Sequence, residues 1–118
     1  MIGLDRLIKI KGIVAVGQFS EDGKMIRSVG DIPKELMDKT AQMCSNESKH
    51  FEKLVQKYST QMDADWTPLV GWAVWGGKYA IVIVGNTGVI VDAKYADFNQ
   101  LRVDLECSEA TGAGPRNY

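Results

Sequence analysis

The sequence has one histidine, two cysteines and almost no surplus of charge, and each shortage excludes something. With 14 basic against 15 acidic residues the formal net charge is −1. That leaves no electrostatic footprint for nucleic acid or an anionic membrane surface. No apolar run approaches the roughly 18–20 residues that a membrane-spanning helix needs. The opening Met1-Ile2-Gly3-Leu4-Asp5-Arg6 has neither the basic stretch nor the apolar stretch of a secretory signal. Cys44 and Cys107 are far apart and form no C-x-x-C pair, which reads as reduced, buried or half-buried thiols. The expectation is a cytoplasmic protein with no membrane insertion and no nucleic-acid partner.

Motifs that carry chemistry are equally sparse. Gly71 and Gly76 have the G-x-x-x-x-G spacing of a phosphate loop, but Gly77 stands where that loop needs lysine. Gly12 and Gly17 share the spacing, and Gln18 follows them. No G-x-G-x-x-G occurs. His50 and Cys44 are six positions apart on a helix, which points them to different faces, so they make no metal pair. Asp63-Ala64-Asp65 starts like a calcium loop, but Trp66 and Thr67 break the pattern. Cys44 lies among apolar neighbours, where a small hydrophobe is its simplest role. No sequence feature sets the pKa of either thiol, so thiol reactivity stays open. Asn46-Glu47-Ser48 matches a glycosylation acceptor but falls inside a helix of a chain expected in the cytoplasm. The expectation is a protein that is not an enzyme, with no catalytic, cofactor or metal residues.

What is present is a single core-forming unit. The 118 residues make one domain by length, and 45% hydrophobic content suffices for a core without staples. Leu4, Leu7 and Ile8 at helical spacing predict a short helix stopped by Gly12. Ile13 to Phe19 is a β-branched run with both faces apolar, hence a strand covered on both sides. Ser20-Glu21-Asp22-Gly23 is a turn, and Lys24 to Val29 returns as an edge strand with mixed alternation. Pro33, preceded by Asp31 and Ile32, opens a helix running to about Tyr58. Its stripe is Met37, Ala41, Cys44, Ser48, Phe51, Val55, Tyr58 and Met62, widened by Leu36, Met43 and Leu54. The small Ala41 and Ser48 permit a close approach. Two uses of the stripe stand open: packing on its own sheet alone, or also meeting a second copy.

Three strands follow. Leu69 to Trp75 comes after Pro68, which is tolerated at a strand entry. Gly76-Gly77-Lys78 turns the chain into Tyr79 to Val84, the most strand-like segment and the expected centre of the sheet. Gly85-Asn86-Thr87-Gly88 turns it again, with Asn86 and Gly88 expected in left-handed positions. Val89 to Asp92 is the fifth strand, and Ala96 to about Glu106 the last helix. Trp66, Trp72 and Trp75 read either as packing or as interface anchors; Trp72 and Trp75 have opposite parity and face opposite sides. The fold class is therefore an α/β (α+β) sandwich, α-β-β-α-β-β-β-α. It is a five-stranded antiparallel sheet with the long helix on one face and the two terminal helices on the other. Residues 1–106 form the domain and 107–118 a flexible Gly/Pro-rich tail.

In this order of elements, and in particular segments, the chain resembles the roadblock/dynein-light-chain superfamily, related to longin and profilin-like folds. The segments are Leu4-x-x-Leu7, Gly12 to Phe19 with Asp22-Gly23-Lys24, Gly30-Asp31-Ile32-Pro33, Ala41 to Cys44, Trp66 to Val74, and Gly85 to Val89. The Trp66-Thr67-Pro68-Leu69 block is the most specific of these, and within the superfamily the chain looks like a prokaryotic roadblock-like subfamily of unassigned function. The resemblance implies a homodimer in which the third strands pair at the sheet edge and the middle helices lie side by side. On this chain that contact maps to Met37, Ala41, Cys44, Ser48, Phe51, Val70, Trp72 and Val74. It further implies a non-enzymatic scaffold or regulatory protein, with a small GTPase or a complex subunit as partner. The alternative is a small-molecule sensor of profilin-like fold, holding a ligand between sheet and helix.

Overall fold

The structure is a computed structural model describing the backbone of residues 3–112 and the side chains of residues 3–107. Its elements are α1 (Leu4–Leu7), β1 (Ile13–Phe19), β2 (Met25–Gly30), α2 (Lys34–Gln61), β3 (Gly71–Gly76), β4 (Tyr79–Val84), β5 (Thr87–Asp92) and α3 (Phe98–Gly112). The five strands form one sheet in the order β2-β1-β5-β4-β3, and every pairing is antiparallel. The expected element order and layering are therefore present.

The layering follows from alternation along each strand. Val16 of β1, Ala80, Val82 and Val84 of β4, and Val89 and Val91 of β5 point to one face. There they meet Leu4 and Leu7 of α1 and Leu101 and Leu105 of α3. Phe19 and Ile83 point to the other face and meet Ala41 and Cys44 of α2. Since β1, β4 and β5 are covered on both sides, they read in sequence as continuous apolar runs.

Four details differ from expectation. The central strand is β5, flanked by β1 and β4, while the more apolar β4 is one place off centre. Apolar density reports burial on both faces, which β4 shares; lateral order is set by the long-range pairing of β1 with β5. In the β4–β5 turn the left-handed residue is Gly85, at φ +60°, and Asn86 and Gly88 are not left-handed. Val84 pairs with Thr87, so the loop is the two-residue kind with glycine first, which needs only that one positive φ. Pro33 occupies the cap of α2 and not its first turn, with its carbonyl accepting from the Met37 amide at 3.1 Å. Finally, α3 extends to Gly112, past the expected stop near Glu106; the expected tail residues 113–118 lie outside the described residues.

At 28 residues α2 is about 42 Å long by the helical rise. That equals the longest dimension of the molecule, 42 Å. Beneath it, Gly17 and Gly88 are register partners on the α2 face of the sheet. A side chain on either would collide with Met25 or Ile83, whose own side chains already lean over these positions.

Candidate interaction surface

The residues expected at a contact between copies divide cleanly by burial. Met37, Ala41, Cys44 and Ser48 are 0–7% exposed and lie against the chain's own sheet. Within the protomer these four are covered by the sheet and leave little surface for a second copy. Phe51, Val70 and Trp72 are half-buried, and Val74 is exposed. Trp72 joins the groups: its indole Nε1 donates to Ser48 Oγ at 2.9 Å and its ring lies 5.4 Å from Phe51.

The surface of α2 carries a second apolar row: Leu36, Met43 and Leu54, expected to widen the first, together with Tyr58, expected within the first stripe. Leu36, Met43, Leu54 and Tyr58 are exposed, although each is large and apolar. Their spacing puts them on one flank. Phe51, beside Leu54 on the helix surface, contacts Trp72 of β3, whereas Ser45 Oγ donates to the Glu21 carbonyl in the β1–β2 turn at 2.5 Å. The exposed row therefore lies on the β3 side of the helix. Near its end Trp66 stacks on Tyr58 with ring centroids 5.0 Å apart.

The strand below that flank is an edge. β3 pairs with β4 on one side only, and Gly71-Trp72-Ala73-Val74-Trp75-Gly76 contains no charged residue. The opposite edge, β2, carries Arg27, and its pairing with β1 has a register irregularity at Gln18/Phe19. Charges and irregular register are the usual protections of an edge, and β3 has neither. Trp75 turns to the face opposite Trp72, as parity predicts, and packs 5.0 Å from Phe98 of α3.

A residue missed by the sequence reading locks β3 in place. Glu52 is buried on α2, and its Oε2 accepts from the Leu69 amide at 2.8 Å, while Gln56 Nε2 donates to Oε1 at 3.4 Å. This carboxylate satisfies a buried backbone donor just before the strand. Glu52 lies one place after Phe51 in a helix rich in surface charges, so nothing in its sequence context separates it from Glu47 or Lys53.

The thiols and the lone histidine gather no chemistry. Burial pushes the Cys44 thiol up to about 12, which keeps it protonated near neutrality. Cys107 is exposed and outside any disulfide. His50 is exposed beside Glu47, 3.7 Å away. Among the described residues no group of three or more His, Cys, Asp or Glu side chains is gathered to hold a metal. Among them, too, no helix is long and apolar enough to cross a membrane. Between α2 and the sheet lies an apolar cavity of about 30 Å³, bordered by Gly17, Gly88, Met37 and Ala41. That is room for about one water, far below the roughly 300–1,000 Å³ of small-molecule pockets.

A five-stranded antiparallel sheet in this order, with one long helix on one face and two helices on the other, defines the roadblock class of α/β fold. Solved structures agree. A Roadblock/LC7 domain from Streptomyces avermitilis has a TM-score of 0.72 at 12% identity, covering 87% of this chain and 84% of that one. Myxococcus xanthus MglB has a TM-score of 0.65 at 18% identity, with coverage of 93% and 92%. The gliding protein MglB from Thermus thermophilus has a TM-score of 0.68 at 8% identity, with coverage of 89% and 78%. At such identities the likeness carries the fold alone. Within that class, the chain belongs to the family described as "Uncharacterized conserved protein (DUF2173)", which matches residues 3–106. No curated protein matches the chain.

Proposed function

We propose that the protein is a homodimeric, non-catalytic platform of the cytoplasm, whose two-fold surface docks a small GTPase or a subunit of a multiprotein assembly. The observation that carries the reading is β3, a six-residue strand without a charge at a sheet edge. An edge of this kind left in water invites uncontrolled pairing; pairing with itself about a two-fold closes it. The exposed row Leu36, Met43, Leu54 and Tyr58 lies on the same side and gives the contact an apolar helix layer. Phe51, Val70, Trp72 and Val74 keep their expected place in the interface, and the exposed row takes that of Met37, Ala41, Cys44 and Ser48. Dimerisation makes one ten-stranded sheet from two five-stranded ones and leaves the outer faces to a partner. The GTPase end of the proposal rests on the roadblock resemblance, since fold alone does not assign a partner.

On the α2 side the sensor alternative loses support, because the cavity there, at about 30 Å³, has no room for an organic ligand; the open groove of about 370 Å³ on the α3 side has the volume but only one charged side chain, Arg102, in its lining. Two measurements test the platform. Sedimentation velocity of the purified chain gives a dimer; a monomer at micromolar concentration refutes the assembly. Native co-purification at endogenous level, read by mass spectrometry, brings down a small GTPase or a recurrent complex subunit. Recovery of the homodimer alone refutes the docking role.

A further inference from the structure

Along the face turned toward α3, strand β3 presents Gly71, Ala73 and Trp75 in that order. α3 lies over β4 and β5 and meets this strip at Trp75, through Phe98. An open groove of about 370 Å³ therefore runs over Gly71 and Ala73, with Val82 and Val84 in its floor and Phe98 and Arg102 as its wall. At one end stands Trp75, packed on Phe98 on one side yet 57% exposed. Gly71 must stay bare within its own chain, because a Cβ there would sit 2.2 Å from the Ile83 carbonyl oxygen. The groove has almost no directional chemistry. Its one charged side chain, Arg102, stands alone at the wall and donates from Nε to Glu106 at 3.0 Å. A polar ligand thus finds a single charged partner and no convergent set, whereas a flat apolar ring finds a floor and a wall.

The two-fold pairing of β3 proposed above, on which this inference rests, restricts what can enter. A two-fold axis perpendicular to the sheet sets residue i opposite j and residue j opposite i. Opposed residues share a face, so their numbers have equal parity and one residue must oppose itself. For a strand spanning Gly71–Gly76 the self-opposed residue at the middle is Ala73 or Val74. With Ala73 at the axis, Trp75 of each copy stands directly opposite Gly71 of the other. Trp72 then stands opposite Val74 on the α2 face.

We propose that the indole of Trp75 in each copy seats over Gly71 of the other, filling the groove beside Phe98 and Arg102 and fixing the strand register with Ala73 on the two-fold axis. A large ring set across from a strand glycine covers the bare backbone that the glycine leaves. The glycine has no side chain to pack and marks a place of close approach. Tryptophan is also the residue most often found as an interface anchor. The surface is thus self-complementary: the same strand supplies both the ring and the groove.

The register is read by cysteine cross-linking in a Cys107→Ser background. Antiparallel partners stand about 4.5–5.5 Å apart between Cα atoms, inside the range a disulfide spans. Ala73→Cys forms a covalent dimer under mild oxidation, whereas Trp72→Cys and Val74→Cys do so at least about tenfold more slowly, since neither faces its own copy. Trp75→Ala loosens the dimer about 30-fold or more, the anchor class of effect. A wild-type monomer in sedimentation velocity overturns the dimer itself. A wild-type dimer that cross-links at Val74→Cys but not at Ala73→Cys overturns only the register. A Trp75→Ala dimer as tight as wild type overturns the seating of the indole.

Discussion

Replacing Ala41 and Leu54 in separate variants distinguishes the two apolar rows of α2, because the rows predict opposite failures. Ala41 is 0% exposed and packs with Phe19, Cys44 and Ile83. Ala41→Arg forces a long cation into that layer with no acid beside it. An unpaired buried charge costs several kcal/mol, against a total stability of about 5–15 kcal/mol for a domain. The expected outcome is a chain that melts at least about 10 °C lower or does not fold. Leu54 is 46% exposed, so about half of its surface is already wet in the protomer. Full burial of a leucine is worth about 1.5–3 kcal/mol, so a contact covering the remaining half gains about 1 kcal/mol per copy and about 2 per dimer. Leu54→Glu removes that gain and adds a carboxylate at the contact, for a loss of about 2–4 kcal/mol, or roughly 30- to 1,000-fold in dimer affinity. The protomer itself changes little. Circular dichroism melts and sedimentation velocity over a concentration series read both quantities. A folded, monomeric Ala41→Arg variant with an unchanged melt would return Ala41 to the interface and refute the assignment of rows. So would a Leu54→Glu dimer as tight as wild type.

Two further outcomes follow from single contacts. Glu52→Ala leaves the Leu69 amide without its acceptor in a buried site and lowers stability by about 1–3 kcal/mol. Glu52→Gln keeps a carbonyl oxygen there and loses less, and equal melts for the two variants would show that the hydrogen bond is not what holds β3. For the thiols, a folded-state pKa of about 12 leaves Cys44 with a thiolate fraction on the order of 10⁻⁴ at pH 8. A maleimide therefore labels exposed Cys107 first and Cys44 only on unfolding. Because burial raises the Cys44 pKa, its contribution to stability is intact below the ordinary thiol range and is lost as pH climbs from about 9 toward 12. Fast labelling of folded Cys44 at neutral pH would contradict its burial.

Element order was legible because each boundary has a local cause. Gly23, Gly77 and Gly85 carry the positive φ of the three hairpin turns. Ile13 to Phe19 and Tyr79 to Val84 are apolar on both faces because helices cover both. Lateral order was less legible, since the pairing of β1 with β5 joins segments separated by most of the chain and leaves no local trace. The rows of α2 were the hardest. Met37, Ala41, Cys44 and Ser48 recur at helical spacing, and so do Leu36, Met43, Leu54 and Tyr58. Periodicity alone cannot say which row faces the sheet.

Side-chain size, read together with the sheet, resolves the rows. Gly17 and Gly88 lie side by side under α2, and Ala41 and Cys44 line the small cavity between them and the helix. Met25 and Ile83 lean over these glycines and fill the layer under the helix, so the row of smaller groups is the one that fits against the sheet. The bulkier row is then left on the flank, where only a further surface can cover it. The same reasoning applies to β3 on a smaller scale. Gly71 is demanded by β4, which approaches too closely for a Cβ, and that demand leaves a bare strip that Trp75 of a second copy can close. In both places a requirement of the protomer's own packing creates the shape that a second copy fits. Fold and assembly are therefore coupled through the same few small residues. A substitution that enlarges one of them disturbs the protomer first and the dimer only as a consequence, whereas Leu54 can be changed to reach the dimer alone, and Trp75 at the cost of its packing on Phe98.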